Sequence, residues 1–281
     1  MGEPSDDPIL ATAALTRLWL AADRLGIDAA PLQQRVGEVV PAIAAGAWVS
    51  LDSDDRLAIC CTQTAAGPGV PIPRTAYARR FELELDREGQ VAEVVTALGR
   101  RAYTDDQRVL AEAGIPSEVI GQLGELVDVM GDGSCDGLAR RRATTGETWF
   151  GIVAYDAISP GPEADDVRDL TGARLVSLAN AIAVHPAQVA ILAQLHAHAH
   201  RGFSVTFELG ARGLVPVLRV AYTKVPWPDV VRVAERLRPV PAQAPRLGTF
   251  AGAFAAPHAS TLELAYVPNG VARVRVWVDA T

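Results

Sequence analysis

The sequence predicts an α+β fold in which antiparallel β-hairpins alternate with helix pairs and close into a ten-stranded barrel ringed by helices. Three observations predict it. The hydrophobic period switches repeatedly between 3.6 and 2 along the 281 residues. The period-2 segments are joined by turn residues, giving up to five strand–turn units centred near Asp54, Arg87, Ser159, Arg212 and Asn269. Each strand pair has an apolar face, which needs a helical cover, and a mixed polar face.

The elements follow in order. Leu10, Leu15, Leu18, Leu20 and Ala21 are helically spaced over 8–25, and Gly26 ends that helix. Leu32, Val36, Val39, Val40 and Ile43 mark a second helix over 29–45. Strands over 47–51 and 56–62 flank Asp52-Ser53-Asp54-Asp55, so that Val49 and Leu51 match Leu57 and Ile59 on one face. Trp48 and Ser50 match Ala58, Cys60 and Thr62 on the other. A Gly/Pro-rich loop over 65–73 leads into a strand over 75–85, where Phe81, Leu83 and Leu85 alternate with Arg80, Glu82 and Glu84. The next segment, 90–98, reads equally as a returning strand or a helix. Thr104-Asp105-Asp106-Gln107 has the pattern of a capping box, and Ile115-Pro116-Ser117 starts another helix that runs to Met130.

Residues 131–146 read as a long polar loop holding Cys135 and the basic block Arg140-Arg141-Arg142. An apolar strand over 148–157 and a turn over 159–162 follow. A helical stretch covers 165–184 and 187–200, broken at Pro186. Strands over 203–209 and 214–224 form a hairpin in which Phe203, Val205 and Phe207 oppose Leu218 and Val220, while Ser204, Thr206 and Glu208 join Arg219. A short helix opens at Pro226-Trp227-Pro228-Asp229 and runs to Leu237, and a Pro/Ala/Gly connection reaches His258. The last hairpin pairs 261–267 with 271–278. Its Val267-Pro268-Asn269-Gly270 fits a type I turn ending in a glycine bulge. That register puts Leu262, Leu264 and Tyr266 with Ala272, Val274 and Val276. It puts Thr261, Glu263 and Ala265 with Arg273, Arg275 and Trp277. A slip of one residue would mix the two faces.

Composition bounds the rest. Apolar residues make up 49% and charged residues 21%, which suits one folded domain over 1–281. The net charge of -7, with no long basic run, argues against a nucleic-acid partner. No stretch reaches the roughly 18 apolar residues of a membrane span, and the acidic residues 1–8 do not resemble a secretion signal. Three cysteines, two of them adjacent, point to reduced thiols and a cytoplasmic setting. Lys224 is the single lysine among 26 basic residues, which marks it as a place where a compact ammonium is needed or as an accident of arginine-rich usage. The polar strand faces mix Trp, Cys, Ser and Thr with a few Arg and Glu. That mixture suits the lumen of a closed barrel better than the wet side of an open sheet.

The element order, together with the opening helix ending Leu25-Gly26-Ile27, a second helix and a hairpin beginning Gly46-Ala47-Trp48, resembles the ABBA aromatic prenyltransferases. In that family five such units close a prenyltransferase barrel. The resemblance implies a transferase that attaches an isoprenyl group from an allylic diphosphate to an aromatic small-molecule or peptide acceptor. It implies diphosphate contacts from Arg80, Arg219, Lys224, Arg273 and Arg275, a lumen acid at Glu82 or Glu263, and aromatic walls at Trp48 and Trp277. Lys224 is out of phase with Arg219 and reaches the lumen only if its strand ends or bulges there. The plain alternative is that these residues only pair across strands, as Glu263 would with Arg275. Two other functions fit the same pattern: a cyclase-like biosynthetic enzyme using the cavity without a diphosphate, and a non-catalytic binding or assembly protein.

Other motifs add little. Asp165-Asp166-Val167-Arg168-Asp169 has the form of an Asp-rich magnesium–diphosphate motif, but a second copy is absent and acids are favoured at a helix start anyway. Magnesium is the only cofactor these residues suggest. His196, His198 and His200 would share a face only on a strand. Asp132 to Gly137 begins like a calcium loop, but Ala143 stands where a bidentate Glu belongs. There is no Walker loop, dinucleotide glycine fingerprint or nucleophile elbow.

Overall fold

A computed structural model describes residues 8–39, 47–63, 78–85, 88–130, 133–142, 146, 148–156, 172–198, 203–210, 213–237, 243–268 and 272–279. Its helices are α1 (Pro8–Leu25), α2 (Ala30–Val39), α3 (Tyr103–Glu112), α4 (Ser117–Met130), α5 (Gly172–Ala181), α6 (Pro186–His198), α7 (Trp227–Leu237) and α8 (Gln243–Phe254). Its strands are β1 (Ala47–Asp52), β2 (Leu57–Gln63), β3 (Ala78–Leu85), β4 (Val91–Ala102) and β5 (Ser134–Arg142), then β6 (Thr148–Asp156), β7 (Phe203–Gly210), β8 (Gly213–Pro226), β9 (His258–Tyr266) and β10 (Arg273–Asp279). All ten strands form one closed antiparallel barrel, and β1 pairs with β10 to seal it.

The barrel's outer face is the apolar one. Val49, Leu51, Leu57, Ile59, Leu83, Val220, Leu264 and Val276 all point into the layer between strands and helices and are fully buried. Above them α1 packs on α8, α8 on α7, α7 on α6, α6 on α5, α5 on α4 and α4 on α3, which makes the ring. The helices bury the stripes their spacing dictates: in α7, Val230, Val233, Ala234 and Leu237 are the buried positions. Local chemistry ends them. Gly26 adopts φ 67°, its N–H donates to the Asp23 carbonyl and Ile27 N–H donates to the Ala22 carbonyl, a Schellman ending of α1. Among the described residues, no helix is long and apolar enough to cross a membrane.

The strand registers agree with the sequence-based expectation where side-chain alternation is clean. Val49 pairs with Ile59, Val205 with Val220, Val274 with Leu264 and Arg275 with Glu263. Four expectations change. Residues 91–102 are strand β4, because both edges are paired, with β3 and with β5. The expected polar loop over 131–146 contains β5, so Cys135 and the basic block lie on a strand. Gly137 is required in β5: a Cβ there would stand 3.0 Å from the Ala97 carbonyl oxygen of β4. The third hairpin is therefore β5–β6. The connection before His258 holds α8, whose Leu247, Phe250 and Phe254 are buried despite Pro245, Gly248 and Gly252.

The capping box is the fourth change. Ala102 occupies the N-cap of α3 with no side-chain cap. Asp106 is instead buried: it accepts from Arg101 Nε at 2.8 Å, and the Cys135 thiol donates to its Oδ2 at 2.7 Å. This fixes α3 to the β4–β5 junction, where the ladder has a bulge between Leu98 and Arg101. The turns expected at Arg87, Ser159, Arg212 and Asn269-Gly270, the loop over 65–73, the Asp165–Asp169 motif and His200 lie outside the described residues. His196 and His198 are on helix α6, not on a strand.

Candidate active site

Because alternate residues face inward, the register fixes the lumen wall. β1 contributes Trp48, Ser50 and Asp52, β2 Ala58 and Cys60, and β3 Arg80, Glu82 and Glu84. β8 adds Arg219, Ala221 and Thr223, β9 adds Thr261 and Glu263, and β10 adds Arg273, Arg275 and Trp277. On β4 to β6 the inward residues are mostly smaller and apolar: Val94, Thr96, Ala139, Gly151 and Val153, with Arg141 as the charged exception and Trp149 as the large one.

The end of the barrel carrying the hairpin turns is filled by charge. Arg275, only 3% exposed, reaches Glu82 Oε1 at 2.8 Å, Glu84 Oε1 at 3.1 Å and Asp52 Oδ2 at 3.7 Å. Arg56 and Arg141 approach the same Glu84 carboxylate at 3.3 and 3.4 Å. Arg273 stands 3.7 Å from Asp52 and 3.4 Å from Asp54. Burial works against the Glu84 charge, but Arg275, Arg141, Arg219 and Arg56 outweigh it and hold its carboxyl well below the usual range. Asp52 also accepts the N–H groups of Asp54 and Arg56 at 2.7 and 3.0 Å, which ties the β1–β2 turn to this cluster.

At the other end, toward the helix connections, lies a cavity of about 590 Å³. Its cations are Arg80, Arg219 and Lys224, its carboxylates are Glu82, Glu263 and Asp279, and the His258 imidazole also lines it. Trp48 and Trp277 form aromatic walls, Cys60 sits beside them, and Ser204, Thr206, Ser260 and Thr261 supply hydroxyls. Arg219 is held from both sides, Nε against Glu208 and Nη1 against Glu263 Oε1, each at 2.5 Å. Burial opposes its charge, but those two carboxylates keep the guanidinium protonated. Glu263 also accepts from Trp277 Nε1 at 3.5 Å, and its carboxyl lies below the usual range because Arg219 and Arg275 overcome its burial. Glu82 behaves oppositely. Burial pushes its carboxyl up to about 7 against the pull of Arg275, and Glu84 and Glu263 add to the rise. Burial likewise raises the Cys60 thiol well above its ordinary value, and Glu82 adds to that rise while Arg80 opposes it. Arg275 Cζ lies over the Trp277 ring, 5.6 Å from its centroid, a cation–π contact.

The expected site residues therefore divide. Trp48, Arg80, Glu82, Arg219, Lys224, Glu263 and Trp277 line one cavity, whereas Arg273 and Arg275 do not line it and brace the filled end. Lys224 reaches the cavity through a left-handed backbone, φ 53°, which lets it join its neighbour Thr223 in the lining. Glu263 lies opposite Arg275 in the ladder, yet its carboxylate engages Arg219, while Arg275 spans the lumen to Glu82. Sequence reasoning missed the counter-charges Asp52, Glu84 and Arg141 and the lining residues His258 and Asp279. The inward parity of Asp52 and Glu84 was available as a signal for the first two. None pointed to His258.

No family model matches the sequence, and no curated protein matches it. Solved structures do. The chain is similar to 5-dimethylallyltryptophan synthase from Streptomyces coelicolor, with a TM-score of 0.63 and 12% identity over 97% of each chain. That enzyme in complex with DMASPP and Trp gives a TM-score of 0.64 and 12% identity, covering 99% of this chain and 96% of the other. Prenyltransferase PriB in its apo form gives 0.57 and 15%, covering 97% and 96%. The fold is thus that of the ABBA-type aromatic prenyltransferases: a closed ten-stranded antiparallel barrel inside a ring of helices.

Proposed function

We propose that the protein, acting as one domain over 1–281, is a transferase that moves an isoprenyl group from an allylic diphosphate to an aromatic small-molecule or peptide acceptor. The observation that carries this reading is the single cavity wall on which Arg80, Arg219 and Lys224 meet Trp48, Trp277 and the carboxylates Glu82 and Glu263. The C–O bond to the diphosphate breaks, and the three cations stabilise the departing oxygen by charge-assisted contacts. Trp48 and Trp277 shield the allylic cation, each ring contributing about 0.5–2 kcal/mol. A carbon of the acceptor ring attacks that cation, and its displaced proton passes to Glu82 or Glu263.

Two of the similar structures support the substrate class. The Streptomyces coelicolor enzyme is solved with DMASPP and Trp, and PriB with L-tryptophan and dimethylallyl thiolodiphosphate. Buried free thiols at Cys60, Cys61 and Cys135 suit a reducing, cytoplasmic setting. The test is calorimetric titration with dimethylallyl and geranyl diphosphate, with and without magnesium, followed by mass analysis of an indole acceptor. Heat with either donor and a product heavier by the prenyl group are expected. No heat with either donor sinks the transferase.

The pairing of Arg219 with both Glu208 and Glu263 favours a second reading, a cyclase-like enzyme that uses the cavity without a diphosphate. It would show in the same titration as silence toward both donors.

A further inference from the structure

A diphosphate brings at least two negative charges into a lumen whose own charges are already matched. Among the described residues of the inward faces and cavity lining, Arg80, Arg141, Arg219, Lys224, Arg273 and Arg275 stand against Asp52, Glu82, Glu84, Glu208, Glu263 and Asp279. Arg219 can turn to an incoming anion only by loosening Glu208 or Glu263, which hold it at 2.5 Å. One carboxylate near the cavity must therefore give up its charge. Five of the six are poorly suited, Asp279 because it is exposed and solvent already screens its charge. Glu84 is held by Arg56, Arg141 and Arg275. Glu263 has Arg219 and the Trp277 indole, and Glu208 and Asp52 do not line the cavity.

Glu82 is the exception. It lines the cavity, and its ion pair among the described residues is with Arg275, a guanidinium shared with Glu84 and Asp52. The groups facing it are Cys60 from β2, Arg80 and Glu84 from its own strand β3, Arg219 from β8, Glu263 from β9 and Arg275 from β10. From β4 the paired residue is the uncharged Val94. Resting on the transferase reading above, we propose that Glu82 takes up a proton from solvent as the allylic diphosphate enters. Binding is then proton-coupled, and Glu263 is left as the carboxylate that receives the acceptor's proton. The carboxyl is poised for this, since burial and its acidic neighbours already bring it to about 7. Once the diphosphate draws on Arg219, Glu263 loses its main partner and becomes the better base.

The test is titration with dimethylallyl thiolodiphosphate at pH 8 in two buffers of different ionisation heat, which counts protons without any substitution. Close to one proton taken up per ligand is expected, with affinity falling roughly tenfold per pH unit between 7.5 and 9. Glu82→Gln, checked for folding by thermal melting, is expected to take up none. It should bind roughly tenfold tighter than the parent at pH 8, the opposite of what a merely structural ion-pair partner would do. His258→Gln is expected to keep the uptake. Binding without proton uptake, uptake that persists in Glu82→Gln, or uptake lost in His258→Gln overturns the inference and leaves the transferase standing. No binding at any pH removes both.

Discussion

The two ends of the barrel lumen are made of the same residue types and behave differently. At the filled end, carboxylates and guanidiniums are locked together: Glu84 meets three arginines, and Arg275 meets three carboxylates. At the cavity end the cations are spread over Arg80, Arg219 and Lys224 with aromatic rings between them. What differs is how many partners each charge has. A network with every charge shared is a structural plug. A charge with one strained or divided partner is available for chemistry.

The sharpest way to break this comparison is at Arg275. Arg275→Ala leaves Glu82, Glu84 and Asp52 buried without their shared cation, and a loss of about 3–5 kcal/mol in urea unfolding is expected. A loss under about 1 kcal/mol would mean that the filled end is not a structural plug.

Glu82 and Glu84, two residues apart on β3, give a pH contrast. The folded state keeps the Glu82 proton up to about pH 7, whereas the unfolded chain releases it near 4.5, so this group makes stability fall as pH rises between those values. Glu84, held low, contributes stability above 4.5 that is lost as pH falls through its lowered pKa. Glu82→Gln is therefore expected to gain stability on the parent between pH 5 and pH 8, on the order of 1–3 kcal/mol, measured by urea titration at both values. An equal difference at both pH values contradicts the raised carboxyl.

Lys224→Gly separates binding from stability. Relief of the φ 53° backbone should raise stability by about 1 kcal/mol. Loss of the ammonium should weaken diphosphate binding at least about tenfold. The smallest effect belongs outside the barrel. Arg232 and Asp229 form an i,i+3 pair on α7 with side chains 67% and 40% exposed, and Arg232→Ala should change stability by less than about 0.5 kcal/mol.

How much of this was legible depends on where the partner of each residue lies. The β9–β10 and β7–β8 registers could be read because their two strands are near in sequence and alternate cleanly. β5 could not, since Cys135, Gly137 and Ala139 carry no pattern and the strand is held by its neighbours on both sides. α8 was hidden by Pro245, Gly248 and Gly252, although Leu247, Phe250 and Phe254 keep the helical spacing. At the site, inward parity was enough to name the lining arginines and glutamates. Their pairings were not legible, because Glu82 and Arg275 meet across the lumen from strands far apart in the chain. Nothing in the residue type announces the left-handed turn of the backbone at Lys224.

The seam between β1 and β10 sets an order on the making of the molecule. Trp48 pairs with Cys60 in its own hairpin, but its other edge is paired only when Asp279 arrives. Until then a growing or refolding chain presents two long unpaired strand edges, the geometry that recruits other chains. Folding dominated by so distant a pairing is expected to be slow. A chain cut before Arg273 should scatter light as aggregates under conditions where the whole chain stays clear.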